Sequence, residues 1–183
     1  IISFVFFNVF IKLFWGKYST FDFSANYNLE ALINKIFSCN DEATFEQLAL
    51  ELFHYQMENN PIYGPYAALI LKGKDPQNIY EIPFLPIDFF KHEQIICQGK
   101  GVEKVFLSSG TTGEQSKHLV SNTSVYETSY LKTFKQFYGD IEDYCILALL
   151  PSYQEKEGSS LIYMVDDLIT NSKHPKSGFY LNN

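Results

Sequence analysis

The chain contains no arginine. Its cationic side chains are fourteen lysines, set against twenty-one acidic residues for a formal charge of −7 over 183 residues. A lysine ammonium is a compact point charge without the planar fork that grips phosphodiesters and guanine edges through paired bonds. An acidic chain lacking that fork argues against nucleic acid as a partner. Cysteine is scarce as well. Cys39, Cys97 and Cys145 are odd in number and widely spaced, with no CxxC pair and no Cys/His grouping at zinc spacing. A disulfide framework and a zinc site both lack their ligands, no metal-ligating residue is assigned, and a reducing cytoplasm is the expected compartment.

A run long enough to cross a bilayer is missing too. Ile1 to Trp15 is almost wholly apolar, broken by Ser3, Asn8 and Lys12, and as a helix it would reach only about 22 Å. That falls short of the hydrocarbon core, so no stable membrane span is expected. No basic region precedes the run and no small-x-small cleavage site follows Trp15-Gly16-Lys17-Tyr18, so it is not a secretory signal. The chain begins at Ile1 and its methionines are Met57 and Met164. Residues 1–27 are therefore expected to be an apolar leader from a truncated or wrongly extended start, contributing no fold. An interfacial anchor is the alternative.

What remains is ample for one sizeable globular domain over residues 28–183, since 46% of the chain is hydrophobic and 17% aromatic. Asn28 is placed to cap a helix through Phe37 with Leu29, Leu32, Ile33 and Ile36 on one face. Asn40 or Asp41 caps a second, whose Phe45, Leu48, Ala49, Leu52 and Phe53 form a buried stripe. His54, with no partner four residues away, reads as a partly exposed helix histidine. Asn60-Pro61 ends that helix, Tyr63-Gly64-Pro65-Tyr66 reads as a turn, and Ala67 to Leu71 is a short apolar run. Ile82-Pro83-Phe84-Leu85-Pro86-Ile87-Asp88-Phe89-Phe90-Lys91 has prolines three apart, which forbid regular helix and predict an extended, packed segment with Asp88 as an N-cap.

The second half carries the chemistry. Val105-Phe106-Leu107 reads as a strand that empties into Ser108-Ser109-Gly110-Thr111-Thr112-Gly113, followed by Lys117. Gly110 and Gly113 tolerate positive φ and let backbone N–H groups approach an anion. The four hydroxyls add donors and Lys117 adds charge, so the segment reads as a phosphate-holding loop, with Mg²⁺ the expected second cation. A Walker A loop needs four residues between its glycines and a lysine directly after the second; here two intervene. The GxGxxG dinucleotide pattern is absent as well. The bland alternative is a Ser/Thr/Gly-rich surface loop.

Downstream, Leu119-Val120 reads as a strand pairing back. Asn122 or Thr123 starts a helix with capping-box spacing at Ser124 and Glu127 and a core face of Tyr130, Leu131, Phe134, Phe137 and Tyr138, closed by Gly139. Tyr144 to Leu150 is a continuous apolar run, as in a strand covered on both faces. Strand, helix and strand predict a parallel βαβ unit, whose ligands would lie beyond the carboxyl ends of its strands. The fold class expected is thus α/β, an N-terminal helical segment followed by a βαβ-containing sheet. Ser159 or Ser160 caps a last helix carrying Leu161, Ile162, Val165, Leu168 and Ile169, with Asp166-Asp167 as its solvated face, and Gly178 to Leu181 opens another strand.

Ser-Ser-Gly-Thr-Thr-Gly with a following lysine resembles the phosphate loop of adenylate-forming enzymes. The Ile82-Pro83-Phe84-Leu85-Pro86 to Phe89-Phe90-Lys91 stretch and Asn60-Pro61-Ile62-Tyr63 look like segments of the acyl-protein synthetases of the LuxE type, relatives of that superfamily. The resemblance covers roughly residues 28–183 and implies part of the large N-terminal domain of such an enzyme. It implies activation of a carboxylic acid, fatty or other, by ATP with Mg²⁺ to an acyl-adenylate, transfer to a protein thiol, and hand-over to an acyl-accepting partner.

Carried onto this chain, Ser108, Ser109, Gly110, Thr111, Thr112 and Gly113 would hold the ATP phosphates. Thr112 and Lys117 would act at the reacting phosphates, with Lys117 neutralising the leaving pyrophosphate. Pro151 and Tyr153 match a Pro-x-aromatic segment that borders the acyl pocket, with Gln154 standing where His is usual. Gln154 can orient a carboxylate but cannot shuttle a proton near neutrality. The chain departs from the superfamily's Gly-x-Pro-Lys, lacking the Pro and setting Lys117 one place later. The family's later acidic, ribose-binding, lid and acyl-accepting Cys segments have no counterpart, and Cys145 is expected to be buried and inert. A non-catalytic fragment or nucleotide-binding module keeping the fold is the alternative.

Overall fold

The computed structural model describes residues 29–109, 113–152 and 157–181. The expected leader, the cap at Asn28, and the candidate residues Gly110, Thr111, Thr112, Tyr153 and Gln154 lie outside them. The chain divides into two compact units, with the boundary between Gly101 and Val102.

The first unit is helical. Helices α1 (Leu29–Ser38) and α2 (Glu42–Asn59) bury the apolar positions that recur along each, Leu32 and Ile36 against Leu48 and Leu52. Asp41 is the cap that begins α2. Its carboxylate accepts from the Thr44 N–H at 2.9 Å and the Thr44 hydroxyl at 2.7 Å, satisfying a first-turn donor that has no intrahelical partner. Helix α3 (Tyr63–Leu71) occupies the expected turn at Tyr63-Gly64-Pro65-Tyr66. Pro65 falls in its first turn, where an N–H has no intrahelical acceptor to lose, so proline is accommodated. Asn60 ends α2 and starts α3 at once, its Oδ1 accepting from the N–H groups of Ile62 at 2.8 Å and Tyr63 at 2.6 Å.

After a 3₁₀ turn at Ile79–Glu81, the proline-spaced segment is irregular, as its prolines require, until a single helical turn α4 (Phe89–His92). Ile82, Leu85 and Phe90 are buried, while Phe84 and Ile87 face outward. Asp88 stands at the cap position of α4 without capping it; its carboxylate instead takes the Lys91 ammonium at 2.7 Å.

The second unit mixes strands and helices in the order β1 (Lys104–Leu107), β2 (Lys117–Val120), α5 (Thr123–Tyr138), β3 (Leu147–Ala148), α6 (Ser160–Ser172) and β4 (Gly178–Phe179). The expected parallel pairing of β1 with the strand after α5 does not form among the described residues. Instead β1 pairs antiparallel with β2, Leu107 opposite Lys117 and Phe106 opposite His118. Closing the short 108–116 connection costs less chain entropy than pairing across a helix, and β2 supplies the β-favouring residues to use it. The parallel pair is β3 with β4, crossed over by α6, one helix later than expected.

Three burial expectations also change. Of the run from Tyr144 to Leu150, only Leu147–Ala148 is strand, and Leu147 and Leu149 are 62% and 73% exposed while Ala148 is buried. An apolar run marks a strand but not how many faces are covered, and this two-stranded sheet covers one. Cys145, expected to be buried, is exposed. On α5, Tyr130 is buried but Phe137 and Tyr138 are outward. Tyr138 joins Phe134 and Tyr144 in an edge-packed aromatic group on the surface. The chain is thus a mixed α/β protein in which helix predominates. Among the described residues no helix is long and apolar enough to cross a membrane.

Candidate functional site: the connection between β1 and β2

The connection begins and ends at a closed neck. Ser108 donates its N–H to the Ser116 carbonyl at 3.0 Å, which extends the β1–β2 ladder by one pair. The return bond is unusual in its acceptor: the Ser116 N–H goes to the Ser108 hydroxyl at 2.9 Å. That frees the Ser108 carbonyl, which accepts from the Gln115 side-chain amide at 2.9 Å. Every polar group of Ser108 is therefore engaged across the neck. Beyond it, Ser109 is exposed, and Gly113 is exposed at φ +102° with open space where a Cβ would stand. Gly113 thus occupies a backbone region that other residues rarely adopt.

Lys117 is the first residue of β2, exposed, and opposite Leu107 in register. Strand alternation places its side chain on the face away from His118. The neck is tied to a second segment as well. Leu107 donates its N–H to the Gly158 carbonyl at 2.8 Å, joining the end of β1 to the chain that leads from β3 into α6. Gly158 is buried at φ +87°, and Ser159 just beyond it caps α6 by accepting from the Ile162 N–H. Pro151 lies half-buried at the start of that same segment. The structure thus brings together Ser108, Gln115, Ser116, Leu107 and Gly158, with Ser109, Gly113 and Lys117 at the same end of the hairpin.

The opposite face of the hairpin rests on an aromatic layer. The Phe106 ring is 5.5 Å from those of Tyr126 on α5 and Tyr163 on α6, and Tyr126 is 5.1 Å from Tyr130. Each phenol is held. Tyr126 donates to the Ser160 carbonyl at 3.0 Å, Tyr130 to the Asp167 carboxylate at 2.6 Å, and Tyr163 to the Glu127 carboxylate at 2.5 Å. Burial, with the Asp167 carboxylate beside it, pushes the Tyr130 phenol far up. Burial lifts Tyr126 to about 12, and the Glu127 carboxylate does the same for Tyr163. The Lys104 ammonium stands 5.5 Å over the Tyr163 ring, a cation–π distance. Next to Lys117 in sequence, half-buried His118 lies across from Phe106, and burial pushes its imidazole down to about 4. It is neutral at physiological pH.

Gln115, Gly158 and the carboxylates Glu127 and Asp167 had no signal as participants in the sequence. Glu127 has capping-box spacing, yet the start of α5 is served by Asn122, which accepts from the Ser124 N–H at 2.9 Å, and by Glu103, which accepts from the Thr123 N–H at 2.8 Å, while Glu127 reaches across to α6. Asp167, read as solvated, is likewise drawn inward by Tyr130. Among the described residues no three His, Cys, Asp or Glu side chains converge as a metal site. Comparison with family models, curated proteins and solved structures returned no match to the chain.

Proposed function

We propose that the chain binds ATP at the 108–117 connection and activates a carboxylic acid, in the manner of an acyl-protein synthetase. The observation that carries the reading is the closed neck at Ser108–Ser116, which holds a hydroxyl- and glycine-rich span and Lys117 at one end of the hairpin. The residues fit a polyphosphate. Ser109 and Gly113 are exposed, the backbone at Gly113 has room on its Cα for close approach, and one flexible ammonium stands at the base.

In the reaction, a carboxylate oxygen of the acid attacks the α-phosphorus of ATP. The bond to the bridging oxygen of the β-phosphate breaks, and pyrophosphate leaves with that electron pair. Lys117 lowers the barrier by offsetting the charge gathering on the leaving group. Thr112 and the loop amides orient the phosphates. Mg²⁺ arriving with the nucleotide would supply further charge neutralisation. A protein thiolate then attacks the acyl carbon, the acyl–oxygen bond breaks and AMP departs. Pro151, Tyr153 and Gln154 would border the acid, a placement supported by the Leu107–Gly158 bond, which fastens their segment to the loop's neck. An acyl-accepting protein is the partner and the cytoplasm the compartment.

The test is ATP–pyrophosphate exchange by the full chain with carboxylic acids from short to long. Label is expected to enter ATP only when an acid is present. Silence across the whole panel alongside measurable ATP binding would leave a nucleotide-binding module without ligase activity.

A further inference from the structure

The first unit holds a polar cluster that the proposed activity does not use. Gln56 and Asn60 have no solvent exposure at all, and Tyr63 is 2% exposed. Yet neither amide atom of Gln56, nor Nδ2 of Asn60, nor the Tyr63 phenol oxygen has a hydrogen-bond partner. The three residues meet where α2 gives way to α3. Gln56 lies in the last turn of α2 and Asn60 is its C-cap, the Asn60 N–H returning to the Gln56 carbonyl at 3.1 Å. The backbone of Tyr63 is held at the same junction by its own N–H, which the Asn60 side chain accepts at 2.6 Å.

A buried amide left without partners is costly, and folded proteins satisfy nearly all such groups, often through internal water. The chemistry here restricts the occupant. Two carboxamides and a phenol are neutral, and burial pushes the Tyr63 phenol well above its usual range, so it stays protonated. Without a charge to balance it, an ion would be strongly disfavoured at this depth. The unmet demand is mixed: donors on Gln56 and Asn60, an acceptor on Gln56, and a phenol that serves as either. Only an occupant that both donates and accepts, and is small enough for a sealed interior, meets it.

We propose that Gln56, Asn60 and Tyr63 form an internal hydration site holding one ordered water at the junction of α2 and α3. The water ties the last turn of one helix to the first turn of the next, around a bend where Pro61 offers no N–H. The inference is independent of the ATP reading.

Water ¹⁷O relaxation dispersion tests it, because the ¹⁷O signal reports long-lived water and is blind to exchange of the Tyr63 hydroxyl. The wild type is expected to show a dispersion, and Gln56→Leu to lose one water's contribution. Gln56→Met, of similar length and without the amide, serves if the leucine variant does not fold. Absence of dispersion in the wild type, which needs no variant, overturns the proposal, as do equal amplitudes in wild type and folded variant.

Discussion

The N–H of Leu107 and the carbonyl of Gly158 meet at 2.8 Å, and a Cβ added to Gly158 would stand 3.2 Å from both Cγ and Cδ1 of Leu107. The glycine is therefore the means by which the end of β1 and the approach to α6 come within bonding distance. Its backbone, at φ +87°, is one that an L-side chain occupies at a cost of about 1–2 kcal/mol.

Gly158→Ala combines that strain with the contact against Leu107. The variant is expected to lose about 2 kcal/mol of stability, in the usual range for a named backbone mechanism, read by urea unfolding followed through far-UV circular dichroism. Gly73→Ala, at φ +82°, is the control. It shares a positive φ but meets open space, so it should lose only the conformational part. Equal losses at the two sites would show that the Leu107 contact contributes nothing.

If the hairpin end receives a triphosphate, Lys117→Ala removes one charge-assisted contact. Such bonds are worth about 1.5–3 kcal/mol, or roughly ten- to a hundredfold in affinity. Calorimetry is expected to show ATP weakened by that factor while adenosine is unaffected. Thr112→Ala should act in the same direction with a smaller change. Full ATP affinity in both variants would place the nucleotide elsewhere.

The phenols of the aromatic layer govern behaviour in alkali. Tyr126 and Tyr163 hold their protons up to about 12 in the folded state, against about 10 in an unfolded chain. A raised phenol contributes stability that is fully present below pH 10 and is lost as pH climbs toward 12, because the unfolded chain then gains more by ionising. Absorbance at 295 nm should show these tyrosines ionising together with unfolding, after the exposed ones. Tyr163→Phe should flatten the fall. A smooth titration complete below pH 11 with secondary structure intact would contradict the assignment.

On the acid side the group to watch is His118, whose imidazole burial lowers from the usual 6.5 to about 4. A lowered histidine contributes stability present above pH 6.5 and lost as pH falls toward 4, since the unfolded imidazole takes up its proton first. His118→Gln, unable to take up that proton, should move the acid midpoint of the circular-dichroism transition downward. An unchanged or raised midpoint would mean that other groups set the acid limit.

How much of this was legible in the chain can be traced residue by residue. Stops, and each of these caps to within one residue, were readable, because Asp41, Asn122, Ser159 and Gly139 act through bonds and dihedrals spanning three or four residues, whereas Asp88 pairs with Lys91 instead of capping. The hairpin's return strand at Leu119-Val120 was readable for the same reason. Partner choice was not. The parallel pairing of β3 with β4, and the reach of Glu127 and Asp167 to tyrosines over thirty residues away in sequence, depend on which elements meet, and local pattern carries no record of that. The neck shows the same division. The small-residue run announced a loop, but nothing in the order of residues announced that Ser108 would offer its hydroxyl, rather than its carbonyl, to Ser116.

The outer flank of β3 has its own consequence. The carbonyls of Ile146 and Ala148 accept from Gly178 at 2.9 Å and from Tyr180, just past β4, at 2.8 Å, so the peptide groups of Leu147 and Leu149 point the other way along an edge that pairs with no further strand among the described residues and is flanked by exposed leucine. Such a margin templates self-association. On warming or concentration, precipitation would begin there, and a lysine in place of Leu149 should delay turbidity without shifting the melting transition.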